Sequence, residues 1–168
     1  MRSGRLAAIS LAFAAATFVC RAGSAAAEES GSFRMLMSGV HDYTTIDHAG
    51  AKVSGGSLTG TAVLVRSSGG AFAEDAIHIV TCVAYAWVSE ADTDVRGACT
   101  LTDASGDTWF ARAQRRVGDI EQGSGGEGRW DLVGGTGKYA GLEGGCRYDT
   151  EYLPGNRLVS PAECTWRK

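Results

Sequence analysis

Long apolar runs are missing from this chain: the main one, Leu6 to Val19, has 14 residues, short of the roughly 20 that cross a hydrocarbon core as a helix. Arg2 and Arg5 precede it and Ala25-Ala26-Ala27 follow it. A basic start, a short apolar stretch and a small-residue cleavage site are the layout of a secretory signal peptide. The expected organisation is therefore residues 1–27 as signal and residues 28–168 as one domain, with no membrane anchor after cleavage. Cys20, preceded by the bulky Val19, falls in the discarded segment.

Positive charge is scarce. The chain has three lysines, and after residue 27 it carries 13 basic against 19 acidic side chains, a net −6. That balance excludes a nucleic-acid footprint and an attraction to anionic membrane surfaces. Histidine is limited to His41, His48 and His78, which share no ligand spacing, and no Cys-x-x-Cys pair occurs, so neither a metal nor another cofactor is expected. A Gly-x-Ser-x-Gly nucleophile context is absent as well. His41-Asp42 and Asp47-His48 are adjacent pairs whose members would face opposite ways on a strand, and they read as solvated loop ends.

No stretch keeps a helical period, and what the chain has in quantity is glycine, 24 residues, punctuating short alternating runs as in an all-β fold. Strands are predicted over Phe33–His41, Ser57–Arg66, Ala76–Ser89, Thr93–Thr102, Asp107–Gln114, Glu127–Gly134, Glu143–Tyr152 and Pro161–Arg167. Turns are predicted at Ser54-Gly55-Gly56, Ser67-Ser68-Gly69-Gly70, Asp103-Ala104-Ser105-Gly106, Gly123-Ser124-Gly125-Gly126 and Pro154-Gly155-Asn156. Eight short strands joined by tight connections suit an antiparallel up-and-down barrel, which leaves no open edge; a two-sheet sandwich has the same strand count.

Alternation gives most late strands one apolar face: Trp130 and Leu132; Cys146, Tyr148, Thr150 and Tyr152; Ala162, Cys164 and Trp166. The strand Ala76–Ser89 is apolar on both, with Ile77, Ile79, Val83, Tyr85 and Trp87 on one side and Val80, Cys82, Ala84, Ala86 and Val88 on the other. It is expected to be covered on both sides, the outer cover coming from a second copy of the chain.

The four cysteines after residue 27 are even in number, and an oxidising compartment favours disulfides. The midpoint of Cys82 and Cys99 falls between Glu90 and Ala91, and that of Cys146 and Cys164 on Gly155, both in predicted turns. The sequential pairing therefore puts each bridge across one hairpin; barrel closure leaves the other two connectivities open.

Three glycine motifs resemble chemical sites and fit turns better. Gly123 to Gly128 satisfies the dinucleotide fingerprint but leads into the strand Arg129-Trp130-Asp131-Leu132-Val133 instead of a helix. Gly134-Gly135-Thr136-Gly137-Lys138-Tyr139 has the Gly-Lys of a phosphate loop without its first Gly or its Ser/Thr. Asp103-Ala104-Ser105-Gly106-Asp107 starts like a calcium loop, yet the bidentate acid expected at the twelfth position is Gln114.

The run Gly134-Gly135-Thr136-Gly137-Lys138-Tyr139-Ala140-Gly141, the strand before it, and the earlier Gly97-Ala98-Cys99-Thr100-Leu101-Thr102-Asp103 and Ser105-Gly106-Asp107 together resemble the allene oxide cyclase barrel-like family, which groups with plant dirigent proteins. The resemblance covers roughly residues 75–150. It implies an eight-stranded antiparallel barrel, often oligomeric, with a cavity for hydrophobic or phenolic intermediates. The matching run is a turn, so no catalytic residue is carried over.

The function expected is an exported barrel, periplasmic or secreted, that binds a small hydrophobic or phenolic molecule through the inward aromatics Trp109, Trp130 and Tyr148. Two alternatives stand beside it. One is an isomerase or cyclase using a buried carboxyl; the other is a structural protein with a filled barrel. The sequence leaves open whether the chain is an enzyme.

Overall fold

A computed structural model describes residues 28–168; the expected signal segment, with Cys20, lies outside them. Eight strands follow in chain order: β1 (Ser30–His48), β2 (Ala51–Ser67), β3 (Ile77–Val88), β4 (Thr93–Asp103), β5 (Thr108–Arg115), β6 (Gly126–Gly135), β7 (Glu143–Leu153) and β8 (Arg157–Arg167). A single 3-10 turn, Gly137–Tyr139, stands between β6 and β7. Each strand pairs antiparallel with the next and β8 returns to β1, closing an up-and-down barrel. Closure rules out the sandwich.

Alternation sets the inside of that barrel. In β3, His78, Val80, Cys82 and Ala86 are buried, whereas Ile77, Ile79, Val83 and Tyr85 are exposed on the outer face, Val83 by 67%. Among the described residues no other segment of the chain covers that outer face. Cys82 lies directly opposite Cys99 and Cys146 opposite Cys164 in the strand registers. Both disulfides form in the sequential pattern and point into the lumen.

The first hairpin departs from expectation. Residues 42–48 continue β1 and residues 51–56 belong to β2, so Ser54-Gly55-Gly56 is strand and the turn sits at Ala49-Gly50, both with positive φ. Gly56 serves close approach instead: a Cβ there would meet the Asp42 carbonyl oxygen. His41 is thereby a strand residue rather than a loop end, while Asp47 and His48 do sit at the hairpin tip. β8 likewise starts before Pro161, at Arg157; β7–β8 pairing lapses opposite the proline, between Tyr148↔Ala162 and Glu151↔Val159, because it has no N–H to give.

One end of the lumen is solid. Phe33, Phe72, Trp109, Tyr139 and Trp166 pack there, with Phe72 at 4.2 Å from Phe33, 5.7 Å from Trp109, 5.1 Å from Tyr139 and 5.5 Å from Trp166, centroid to centroid. Phe72 comes from the β2–β3 connection and plugs that end. Gly70 makes room for it by having φ of 71° and no Cβ, which would strike the Trp166 ring. Offset and tilted contacts of this kind add about 0.5–1.5 kcal/mol each beyond the area they bury.

Candidate functional site

The two ends of the lumen differ in side-chain size. Moving along the inner faces from the plugged end, β3 goes from His78 and Val80 to Ala84, β4 from Leu101 to Gly97, and β5 from Trp109 to Ala113. Ala84, Gly97 and Ala113 cannot fill the barrel's width, and a cavity of ≈ 70 Å³ remains beside them. Its other walls include Met37, Leu58, Leu158, Trp130 and the tyrosines 43, 148 and 152, with Thr150 and Ser160 among the polar residues of the lining. Gly128 adds room: a Cβ there would collide with the Tyr148 phenol.

Arg115 closes β5 and points into this cavity. It is 3% exposed, and among the described residues no carboxylate pairs with it. Its Nη2 donates a long bond of 3.4 Å to the Tyr152 hydroxyl, and its guanidinium carbon lies 5.6 Å from the Tyr152 ring centre. Nε and Nη1 have no protein acceptor. Burial pushes the Tyr148 phenol up to about 12 and raises Tyr43 and Tyr152, with Arg115 opposing the shift at all three. The phenols are neutral near pH 7 and able to donate hydrogen bonds. No Asp or Glu lines the cavity among the described residues.

The β1–β2 hairpin stands over this end. His41 stacks on Tyr43 at 4.7 Å and meets Tyr152 edge-on at 5.4 Å; its Nδ1 is buried without a partner, and burial lowers its pKa. Near the hairpin tip, Lys52 bridges Asp47 and Glu121, each at 3.1 Å. Glu121 belongs to the β5–β6 connection, on the far side of the barrel from β2. This ion pair therefore spans the mouth.

Of the aromatics singled out from the sequence, Trp130 and Tyr148 line the cavity together, with ring centres 5.8 Å apart. Trp109 is wholly buried in the packed end, beside Phe33 and Phe72. Arg115, Tyr43 and Tyr152 complete the site. Arg115 carries a signal in the sequence: the inward series Trp109, Ala111, Ala113 leads to it two residues later.

The second buried polar cluster lies at the plugged end. Tyr139 donates to Asp103 Oδ2 at 3.0 Å and accepts from His78 Nε2 at 3.0 Å. Since the phenol's one proton goes to Asp103, His78 is the Nε2–H tautomer, and its bare Nδ1 is buried without a donor. Burial depresses His78 to about 4. Burial works to raise Asp103, but Lys138, Ser105 and Tyr139 hold it well below the usual carboxylate range. The glycine motifs resolve here into structure. Asp103 accepts from the Ser105 and Asp107 amides, forming the β4–β5 turn, and Asp107 in turn accepts from the Lys138 amide at 3.2 Å. Lys138 and Tyr139, from the run Gly134–Gly141, both reach Asp103, so that run locks the plugged end.

An outer groove along β1, β8, β7 and β6 is broad, but several of its charges are paired at the surface, Arg34 with Glu163 at 3.2 Å and Arg129 with Asp131 at 3.9 Å. No group of three or more His, Cys, Asp or Glu among the described residues is placed to hold a metal. No helix among them is long and apolar enough to cross a membrane. The two disulfides fit an oxidising location.

No family model matches the chain, and no curated protein does. Among solved structures it is similar to a beta-barrel-like protein from Acinetobacter baumannii, at 9% identity and a TM-score of 0.55, over 82% of this chain and 96% of that one. At that identity the likeness establishes the fold alone, a closed eight-stranded antiparallel barrel.

Proposed function

We propose that the protein is an exported binding module that holds a small apolar or phenolic molecule in the open half of its barrel. The observation that carries this reading is the cavity left by Ala84, Gly97 and Ala113, walled by Met37, Leu58, Leu158, Trp130 and three tyrosines. Pockets for small ligands combine apolar and aromatic walls with a few convergent polar groups, as here. An engineered cavity of about 150 Å³ holds one benzene; at less than half that size, this one admits the end of a ligand whose remainder lies in the mouth under the hairpin. The cyclase reading requires a carboxyl at this place, and the lining offers an arginine instead. The resemblance to the allene oxide cyclase barrels thus supports the architecture of a ligand-holding barrel more than its chemistry.

Ala113→Leu fills the cavity from the β5 wall without adding charge. The variant is expected to keep the barrel, gain about 0.5–2 kcal/mol from the filled space, and lose any thermal shift that phenols or aliphatic and aromatic acids give the wild type. Equal shifts in variant and wild type would place the ligand elsewhere and end this reading.

A further inference from the structure

We infer that the ligand is an organic carboxylate, with its acid group seated on Arg115 and its apolar or aromatic body lying in the cavity against Trp130 and Leu158. The inference rests on the proposed binding cavity and assigns its chemistry. An arginine is always charged, and a buried charge is normally paired because isolation from water is costly. Arg115 is 97% buried yet has two of its three nitrogens unpartnered and only a long contact on the third. A guanidinium presents its donors as a fork that matches the two oxygens of a carboxylate.

The surroundings select for that anion. Neutral tyrosines 43, 148 and 152 offer hydroxyl donors and no competing negative charge, and the remaining walls are mostly apolar, with the Thr150 and Ser160 hydroxyls among them. A strongly hydrated inorganic anion would lose its water and gain nothing from Met37, Leu58, Leu158 and Trp130. A carboxylate with a carbon body uses both parts of the site.

The same geometry predicts that Arg115 is a stability defect in the empty protein. Replacing it by methionine, of similar length and no charge, is expected to raise the melting temperature of the ligand-free protein by several degrees; a purely structural arginine would do the reverse.

The test is differential scanning calorimetry on wild type, Arg115→Met, Arg115→Lys and Ala113→Leu, each with benzoate, octanoate, benzamide, octanol and inorganic phosphate. Benzoate and octanoate separate aromatic from aliphatic bodies, while the amide and alcohol keep the body and remove the charge. The expected result is a rise in melting temperature with one or both carboxylates and not with their neutral analogues. In Arg115→Met the carboxylate affinity falls by about 10- to 100-fold, and Arg115→Lys keeps part of it. If benzamide or octanol binds as well as its acid, and Arg115→Met still binds both, the cavity stands and the carboxylate assignment is overturned. A response to phosphate equal to that of the organic acids overturns it too. No shift with any probe, in a wild type that Arg115→Met fails to exceed in stability, overturns the inference and the binding reading together.

Discussion

Removing both disulfides is expected to lower the unfolding free energy by about 6 kcal/mol. The bridged residues are 17 and 18 apart, and the loop-entropy relation gives about 3 kcal/mol for each closed loop of that size. Domains of this length are stable by about 5–15 kcal/mol in total, so the loss would consume much of the margin. The two bridges lie on opposite walls of the barrel, across β3–β4 and β7–β8, so their effects should add to within a few tenths of a kcal/mol unless the unfolded chain couples them. Urea titration of the wild type and of Cys82→Ala/Cys99→Ala, Cys146→Ala/Cys164→Ala and the fourfold variant measures this directly. A fourfold variant with a midpoint near that of the wild type would show that barrel closure alone restrains the chain. Because all four cysteines are 3–5% exposed, the native protein should also resist reductant until the barrel opens, and reduction should follow global unfolding in rate.

Between pH 6.5 and about 4, stability is expected to fall by about 3 kcal/mol through His78. Its ordinary value is 6.5 and its folded value about 4. On acidification the unfolded chain takes up the proton first, so the unfolded state is favoured progressively through that interval, and the loss levels off once the folded protein also binds the proton. Each unit of difference corresponds to 1.36 kcal/mol, which sets the order of magnitude. The cause is geometric: protonation would place a charge on Nδ1, which is buried without an acceptor. His41, also lowered by burial, adds a smaller slope of the same sign. Asp103 acts in a different window. Its folded value is depressed, so its contribution is complete above the ordinary carboxylate range and is lost only as the pH drops below about 4. His78→Gln keeps a donor for Tyr139 and does not titrate. Its urea midpoint should vary much less between pH 6.5 and 4 than that of the wild type; parallel curves would mean that His78 is not the titrating group.

The parts of this fold that were legible are those governed by short-range rules. Period-2 alternation placed the inner faces of β6, β7 and β8, and opposed residues in a hairpin have their midpoint at the turn, so counting favoured Cys82–Cys99 and Cys146–Cys164, the two bridges that form, without excluding the other connectivities. The glycines of β2 were misleading because one residue type serves two purposes: Gly55 and Gly56 look like a turn, yet Gly56 permits close approach of β1 within a long strand. Long-range contacts left little trace. His78 meets Tyr139 across 61 residues, and Phe72 plugs the barrel from a connection that reads as loop. Arg115 was the most consequential residue to miss. Ending the fifth strand at Gln114 cut the inward series one residue short, and a charged side chain at a strand end ordinarily faces water.

The account rests on a barrel that is solid at one end and hollow at the other, with a lone buried cation in the hollow. Native mass spectrometry of the protein isolated from the cells that make it, disulfides intact, tests this most directly. The account predicts a folded species carrying an extra mass that leaves on denaturation, is identified in the released fraction as an organic acid, and is absent from both Arg115→Met and Ala113→Leu. A wild-type protein that carries a neutral molecule retained equally by Arg115→Met would contradict it.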